Sequence, residues 1–176
     1  MCYATALNGP QRACFFKSWK TDNQLGSICD AISASCSAPT YFKPYRIRDT
    51  YYVDGAVTTN TPSMCVLAEA LKIGADLNNL RIANLQTGIH YSLSYKSISK
   101  LKGQLSWLLG IADLTMISSA DVSAYQAERL LQERHVVISP RTYLGLDSLD
   151  FDEMDKMAEE LWKERGPELI KLLAFT

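Results

Sequence analysis

Apolar residues fall at every second position in several short runs of this chain and at every third or fourth in longer ones, and the two spacings alternate along it. "CYATAL" (Cys2–Leu7) and "ACFFKSW" (Ala13–Trp19) read as neighbouring strands separated by the turn-forming "NGPQ". "SICDAISASCSAP" predicts an amphipathic helix with Ile28 and Ile32 one turn apart, ended by Ala38 before Pro39, and the small residues of its last turns imply a close neighbour. "TYFKPYRIRDT" reads as irregular, followed by a brief strand at Tyr51–Val53 and a turn at Asp54-Gly55. Pro62 is suited to a first helical position with Thr61 or Asn60 as cap, and Met64, Leu67, Ala68 and Leu71 mark one buried face before Gly74.

Further on, "LRIANLQTG" is nearly continuous in apolar character, as expected of a strand buried on both faces. Ser94 to Leu114 is weakly polar and contains Trp107; the following "SSADVSAYQAERLLQER" predicts a helix with Ala127, Leu130 and Leu131 inward. "HVVIS" reads as a buried strand. A closing helix shares Met154, Met157, Ala158 and Leu161 on one face, with Gly166-Pro167 as a breaker before a short last helix through Leu172. Alternating helices and strands place the chain in the α/β class with a mostly parallel sheet, and residues 1–176 are expected to fold as a single domain.

Composition narrows the chemistry. Eighteen basic against nineteen acidic residues leave a formal charge of −1, with no run of either sign, so no nucleic-acid partner is expected. No apolar run approaches the roughly 20 residues that cross a bilayer. The first residues show neither a basic leader nor a small-residue cleavage site, which favours a cytoplasmic location. Five cysteines without a C-x-x-C pair are expected to be reduced, buried side chains, and the two histidines, His90 and His135, are too far apart in sequence to suggest zinc.

The residue that invites a chemical reading is Asp54, at the end of a strand and just before a glycine. An Asp-Gly pair has an ordinary role, because the side-chain oxygen can accept nearby backbone N–H groups and hold a turn. Its surroundings support more. Strand ends in α/β sheets are where ligands bind, and this turn leads into a helix start.

From Ser33 to Ala70, "SASCSAPTYFKP", a short spacer and "YYVDGAVTTNTPSMCVLAEA" resemble the signature of the patatin-like phospholipases, the serine lipid acyl hydrolases. That signature runs from a small-residue helix end through A-P-x-x-F to Asp-Gly-Gly or Asp-Gly-Ala and an Asn-x-Pro. "ATALNGPQRACFFKSW" is similar to the family's paired strands before it, and "LRIANLQTG" to the strand after it. The later "YSLSYKS…WLLGIADLTMISSADVSAYQAERLL" resembles, more weakly, the bacterial branch that includes cyclic-nucleotide-activated antiphage phospholipases. The resemblance implies the C-terminal part of a three-layer α/β/α fold. It implies Asp54 as the second member of a Ser-Asp dyad, accepting the serine proton directly, with Gly55, Ala56, Asn60 and Pro62 shaping the loop. The implied substrate is a lipid or phospholipid ester, with peripheral membrane contact and no metal or other cofactor. A solvated carboxylate is a weak base, so an apolar setting is expected around Asp54, from Val53, Tyr51 and Tyr52.

The family's G-x-S-x-G elbow and glycine-rich oxyanion loop are absent from these residues. Ser27, Ser33, Ser35 and Ser37 lack the flanking glycines and are expected to pack or cap. Ala56 stands where Gly is usual and Thr61 where a second Asn is common, both compatible with the turn. The sequence therefore reads as half a dyad, from a truncated gene, a split enzyme or a piece of a longer protein, and inactive by itself. An N-terminal half or a second copy of the chain would cover the sheet edge left open. The alternative is a non-catalytic remnant that acts as a binding module.

Overall fold

Alternating side chains in "CYATA" build the first strand of a four-stranded sheet. The computed structural model describes residues 1–9, 12–20, 26–90, 104–142, 144–145 and 147–174. These form two compact units, Met1–Asn60 and Thr61–Thr176.

In the first unit, β1 (Cys2–Ala6), β2 (Ala13–Phe16), β3 (Tyr45–Ile47) and β4 (Thr50–Asp54) make one antiparallel sheet in the order β2-β1-β4-β3. Helix α1 (Ile28–Ser35) packs on β1, β3 and β4. A capping box starts the helix: Ser27 Oγ accepts from the Asp30 N–H at 3.2 Å, and Asp30 Oδ2 accepts from the Ser27 N–H at 2.6 Å. Register places Cys2, Ala4, Phe16, Tyr45, Ile47 and Tyr52 on one face of the sheet. Ala31 and Ala34 of α1 meet that face, and Phe16 and Tyr52 pack edge to face with centroids 5.6 Å apart. Small residues at the contact let the helix backbone come close, as the sequence suggests. Tyr45 ties sheet to helix by donating its hydroxyl to Asp30 Oδ1 at 2.8 Å.

In the second unit, α2 (Ser63–Lys72) is stopped at Gly74, whose φ of +95° few other residues adopt. Strand β5 (Ile82–Leu85) runs parallel to β7 (His135–Ile138), and β6 (Ile89–His90) parallel to β8 (Arg141–Thr142). Helix α3 (Gln104–Leu131) lies between β5 and β7 in the chain, providing the long crossover that parallel neighbours need. It packs on α2 and β7, and α4 (Phe151–Leu173) packs on β7. Leu67, Ala127 and Leu131 are fully enclosed.

Both helices and strands of an α/β chain are present, but among the described residues a mostly parallel sheet is not. There, parallel pairing is confined to the two small pairs of the second unit, and the largest sheet is antiparallel. Short connections explain this: residues 7–12 link β1 to β2 and residues 48–49 link β3 to β4, too few for the crossover that parallel neighbours need.

Several finer expectations are corrected. The stretch read as irregular contains β3, and β5 is covered on one side only, with Leu85 71% exposed. Ile28 and Ile32 point outward, 76% and 49% exposed, because the small residues Ala31 and Ala34 occupy the contact with the sheet. Ala68, Leu71, Leu130 and Ala158 are likewise exposed, while Leu67, Ala127, Leu131 and Leu172 are among the buried residues of their helices. Gly166-Pro167 does not break α4. Pro167 and Lys163 both lie on the exposed side, where water can take the carbonyl that the missing N–H leaves free. The five cysteines are free thiols, with Cys29 and Cys36 exposed rather than buried. Residues 91–103, including the "YSLSYKS" of the weaker resemblance, lie outside the described residues. Among those described, no helix is long and apolar enough to cross a membrane.

Candidate functional site

Asp54 is the last residue of β4, and its main chain is fixed on both sides. It lies opposite Ala4 of β1, its N–H donates to the Ser37 carbonyl at 2.9 Å, and its carbonyl accepts from Thr5 Oγ1 at 3.2 Å. Beyond Tyr52 the partner strand β3 has ended, so the segment after α1 takes over as acceptor. Register puts the Asp54 side chain on the face that α1 covers, beside Ala4 and Tyr52. Tyr51 and Val53 belong to the opposite face, so of the three residues expected to line an apolar setting only Tyr52 shares the side of the carboxylate.

The chain then turns through a single 3-10 turn, Gly55–Val57. Asp54 Oδ1 accepts from the Ala56 N–H at 2.8 Å, the turn-holding role open to any Asp before Gly. That bond orients the half-buried carboxylate, and Oδ2 has no hydrogen-bond partner among the described residues. Gly55 is required here by space. A Cβ at this position would lie 2.2 Å from the Tyr3 ring and 2.6 Å from the Tyr3 carbonyl oxygen. The Gly55 carbonyl closes the turn by accepting from the N–H groups of Thr58 and Thr59 at 2.9 and 3.0 Å.

Asn60 is exposed at the end of the first unit and makes no hydrogen bond among the described residues. In the second unit, Pro62 takes the N-cap position of α2 itself, with no side-chain cap, one place earlier than the helical position expected. Neither Asn60 nor Thr61 caps that helix. Ser63, the first helical residue, donates instead to Asn84 Oδ1 at 2.6 Å, and Asn84 Nδ2 lies 3.2 Å from His135 Nε2. Burial lowers the pKa of His135 and the nearby Glu128 opposes that shift. His135 is thus a strand residue within hydrogen-bond reach of Asn84.

The serines near α1 have local roles: Ser27 caps, and Ser37 Oγ donates to the Ser33 carbonyl at 2.6 Å. Among the described residues no group of His, Cys, Asp and Glu is arranged to hold a metal ion. Sequence reasoning missed Tyr3, Thr5 and Thr58, which secure the turn from the face opposite α1. Thr58 ends the turn itself, and only the β1–β4 register, a long-range pairing, brings Tyr3 and Thr5 to it.

The sequence profile of the family described as patatin-like phospholipase matches residues 5–64, from Thr5 in β1 to the second residue of α2. A cGAMP-activated phospholipase of Vibrio cholerae is 33% identical over 52% of this chain and 28% of that protein. Another, from Escherichia coli, is 37% identical over 42% of this chain and 23% of that protein. Patatin-2-Kuras 3 of Solanum tuberosum is 27% identical over 88% of this chain and 47% of that protein. The chain spans less than half the length of each of these relatives.

Proposed function

Because this chain belongs to the patatin-like phospholipase family, matching it across residues 5–64, we propose that it forms part of a lipid acyl ester hydrolase and supplies the carboxylate of a Ser-Asp dyad. The observation that carries the reading is the state of Asp54. Its main chain is held at three points and Oδ1 is held by Ala56, while Oδ2 has no partner among the described residues. A carboxylate oriented through one oxygen with the other open is suited to take a proton from a hydroxyl group.

The serine comes from residues outside this sequence. Its hydroxyl oxygen attacks the acyl carbonyl carbon as its proton passes to Asp54 Oδ2. Collapse of the tetrahedral intermediate returns that proton to the departing alcohol oxygen. Water, deprotonated by the same oxygen, then attacks the acyl-serine and restores both side chains. The Asp54 carboxylate contacts the serine without an intervening histidine.

Exposed Ile28, Ile32 and Phe42 on the first unit support a covering partner, which we assign to the remainder of the enzyme or to a second copy of the chain. Names of two relatives add cGAMP as an activator to include in an assay.

Hydrolysis of a short-chain p-nitrophenyl ester and of a phospholipid tests the reading, with the chain alone, with any encoded upstream partner, and with cGAMP. Activity in one pairing that falls about 10²–10⁴-fold in Asp54→Asn, with the fold intact, is the expected result. Hydrolysis that survives Asp54→Asn, or none in any pairing, would overturn it. The latter outcome would leave a binding module.

A further inference from the structure

The turn that carries Asp54 is fastened by two hydroxyls to which neither the sequence nor the family match gives a role. Thr5 Oγ1 donates to the Asp54 carbonyl at 3.2 Å and lies 2.6 Å from Thr58 Oγ1. A hydroxyl has one proton. With the Thr5 proton committed to Asp54, the short contact must be donated by Thr58, giving a directed chain from Thr58 through Thr5 to the Asp54 carbonyl. Such chains strengthen each member by polarisation. Thr5 is buried on rigid β1, paired on both sides, while Thr58 ends the turn that Asp54 begins.

We infer that Thr58 and Thr5 are positioning residues for the Asp54 carboxylate, clasping both ends of its turn to one point on β1. Asp54 Oδ1 takes its bond from Ala56, which lies inside the clasped segment. If the far end of the turn is free to lift, the Ala56 N–H moves away and the carboxylate loses the bond that fixes its rotamer. Gly55 against Tyr3 limits how far the near end can shift, so release at Thr58 is felt at Ala56. The inference rests on the reading of Asp54 as the base, and it deepens that reading by naming what aims the base.

Amide exchange and Hα–Hβ couplings measured by NMR on the full chain test it, in Thr58→Val and Thr58→Ser. Thr58 is exposed, so the fold should survive; Thr5→Val serves as a second variant reaching the same chain from the buried end. In Thr58→Val the Ala56 amide should exchange about three- to tenfold faster, as loss of one hydrogen bond implies. The Asp54 couplings should average while the β1 and β4 amides keep their rates. Thr58→Ser, which keeps the hydroxyl, should restore both. Unchanged Ala56 exchange in Thr58→Val, no rescue by Ser, or uniform acceleration across β1 and β4 would overturn the proposal, the last by making the pair ordinary scaffolding. No ester is needed for these measurements. A failed hydrolase reading would appear as absent Asp54-dependent hydrolysis with the clasp intact, and a failed clasp as unchanged exchange with hydrolysis intact.

Discussion

The two units of this chain solve the same problem, holding short strands in place, by different means. Met1–Asn60 joins its strands by turns and fixes those turns with side chains: Asn8 bonds both the Asp49 carbonyl and the Tyr51 N–H, Thr5 bonds Asp54 and Thr58, and Ser27 and Asp30 cap α1. Thr61–Thr176 pairs its strands in parallel and relies on long helices, with Leu67, Ala127 and Leu131 enclosed among them. A helix-packed unit buries apolar area and tolerates small shifts. The turn-based unit depends on individual close contacts, as the proposed role of Asp54 would require.

The strongest test of that contrast is Gly55→Ala. The added methyl meets the Tyr3 ring and main-chain carbonyl, and the carbonyl cannot rotate away. We expect a loss of about 1–3 kcal/mol in stability, with the Ala56 and Thr58 amides losing protection. Gly74→Ala in the second unit meets nothing within 4 Å and has only the backbone strain of its φ of +95° against it, so its cost should be about 1–2 kcal/mol, below that of Gly55→Ala. Denaturant unfolding of the two variants makes the comparison. Equal losses would show that close approach at Gly55 does not distinguish the turn-based unit.

Acidification should separate the units next. In the second, burial lowers the pKa of His135 against the opposing charge of Glu128. The stability this neutral imidazole contributes is complete above its ordinary value of 6.5 and is lost as pH falls through the lowered folded value. In the first, Asp30 is held below its ordinary 3.8 by the Ser27 N–H first and then by the Tyr45 and Ser27 hydroxyls. Its contribution is present above 3.8 and is lost only as pH falls through a still lower value. Amides of β5 and β7 should therefore lose protection before those around α1 during a titration from neutral pH downwards. The reverse order would break the assignment of the two groups.

What the sequence made legible follows the same division. Turn chemistry is local, so the strand pair at β1 and β2, the strand end at Asp54 and the stop at Gly74 all followed from neighbouring residues. The β1–β4 pairing and the contact of Thr5 with Thr58 beside Asp54 join residues distant in sequence, which periodicity does not encode, whereas β3 pairs locally with β4 and was hidden because its three residues are too short a run to show alternation. The Gly166-Pro167 reading failed because a local breaker was outweighed by the packing of α4 on β7.

Ile28 and Ile32 are the instructive error, and they supply the smallest expected effect. An apolar pair one turn apart usually marks the face a helix buries. Here the contact is too close for branched side chains, and Ala31 and Ala34 take it, leaving Ile28 76% exposed. Ile28→Ser should therefore change stability by less than about 0.5 kcal/mol, whereas Ala34→Leu, forcing methyls into a fully closed contact with the sheet, should cost about 1–3 kcal/mol. Thermal unfolding of the two variants reads the difference. If Ile28→Ser proved the more damaging, the isoleucine stripe would be the packing face, and the turn-based unit would be held by its apolar periodicity after all.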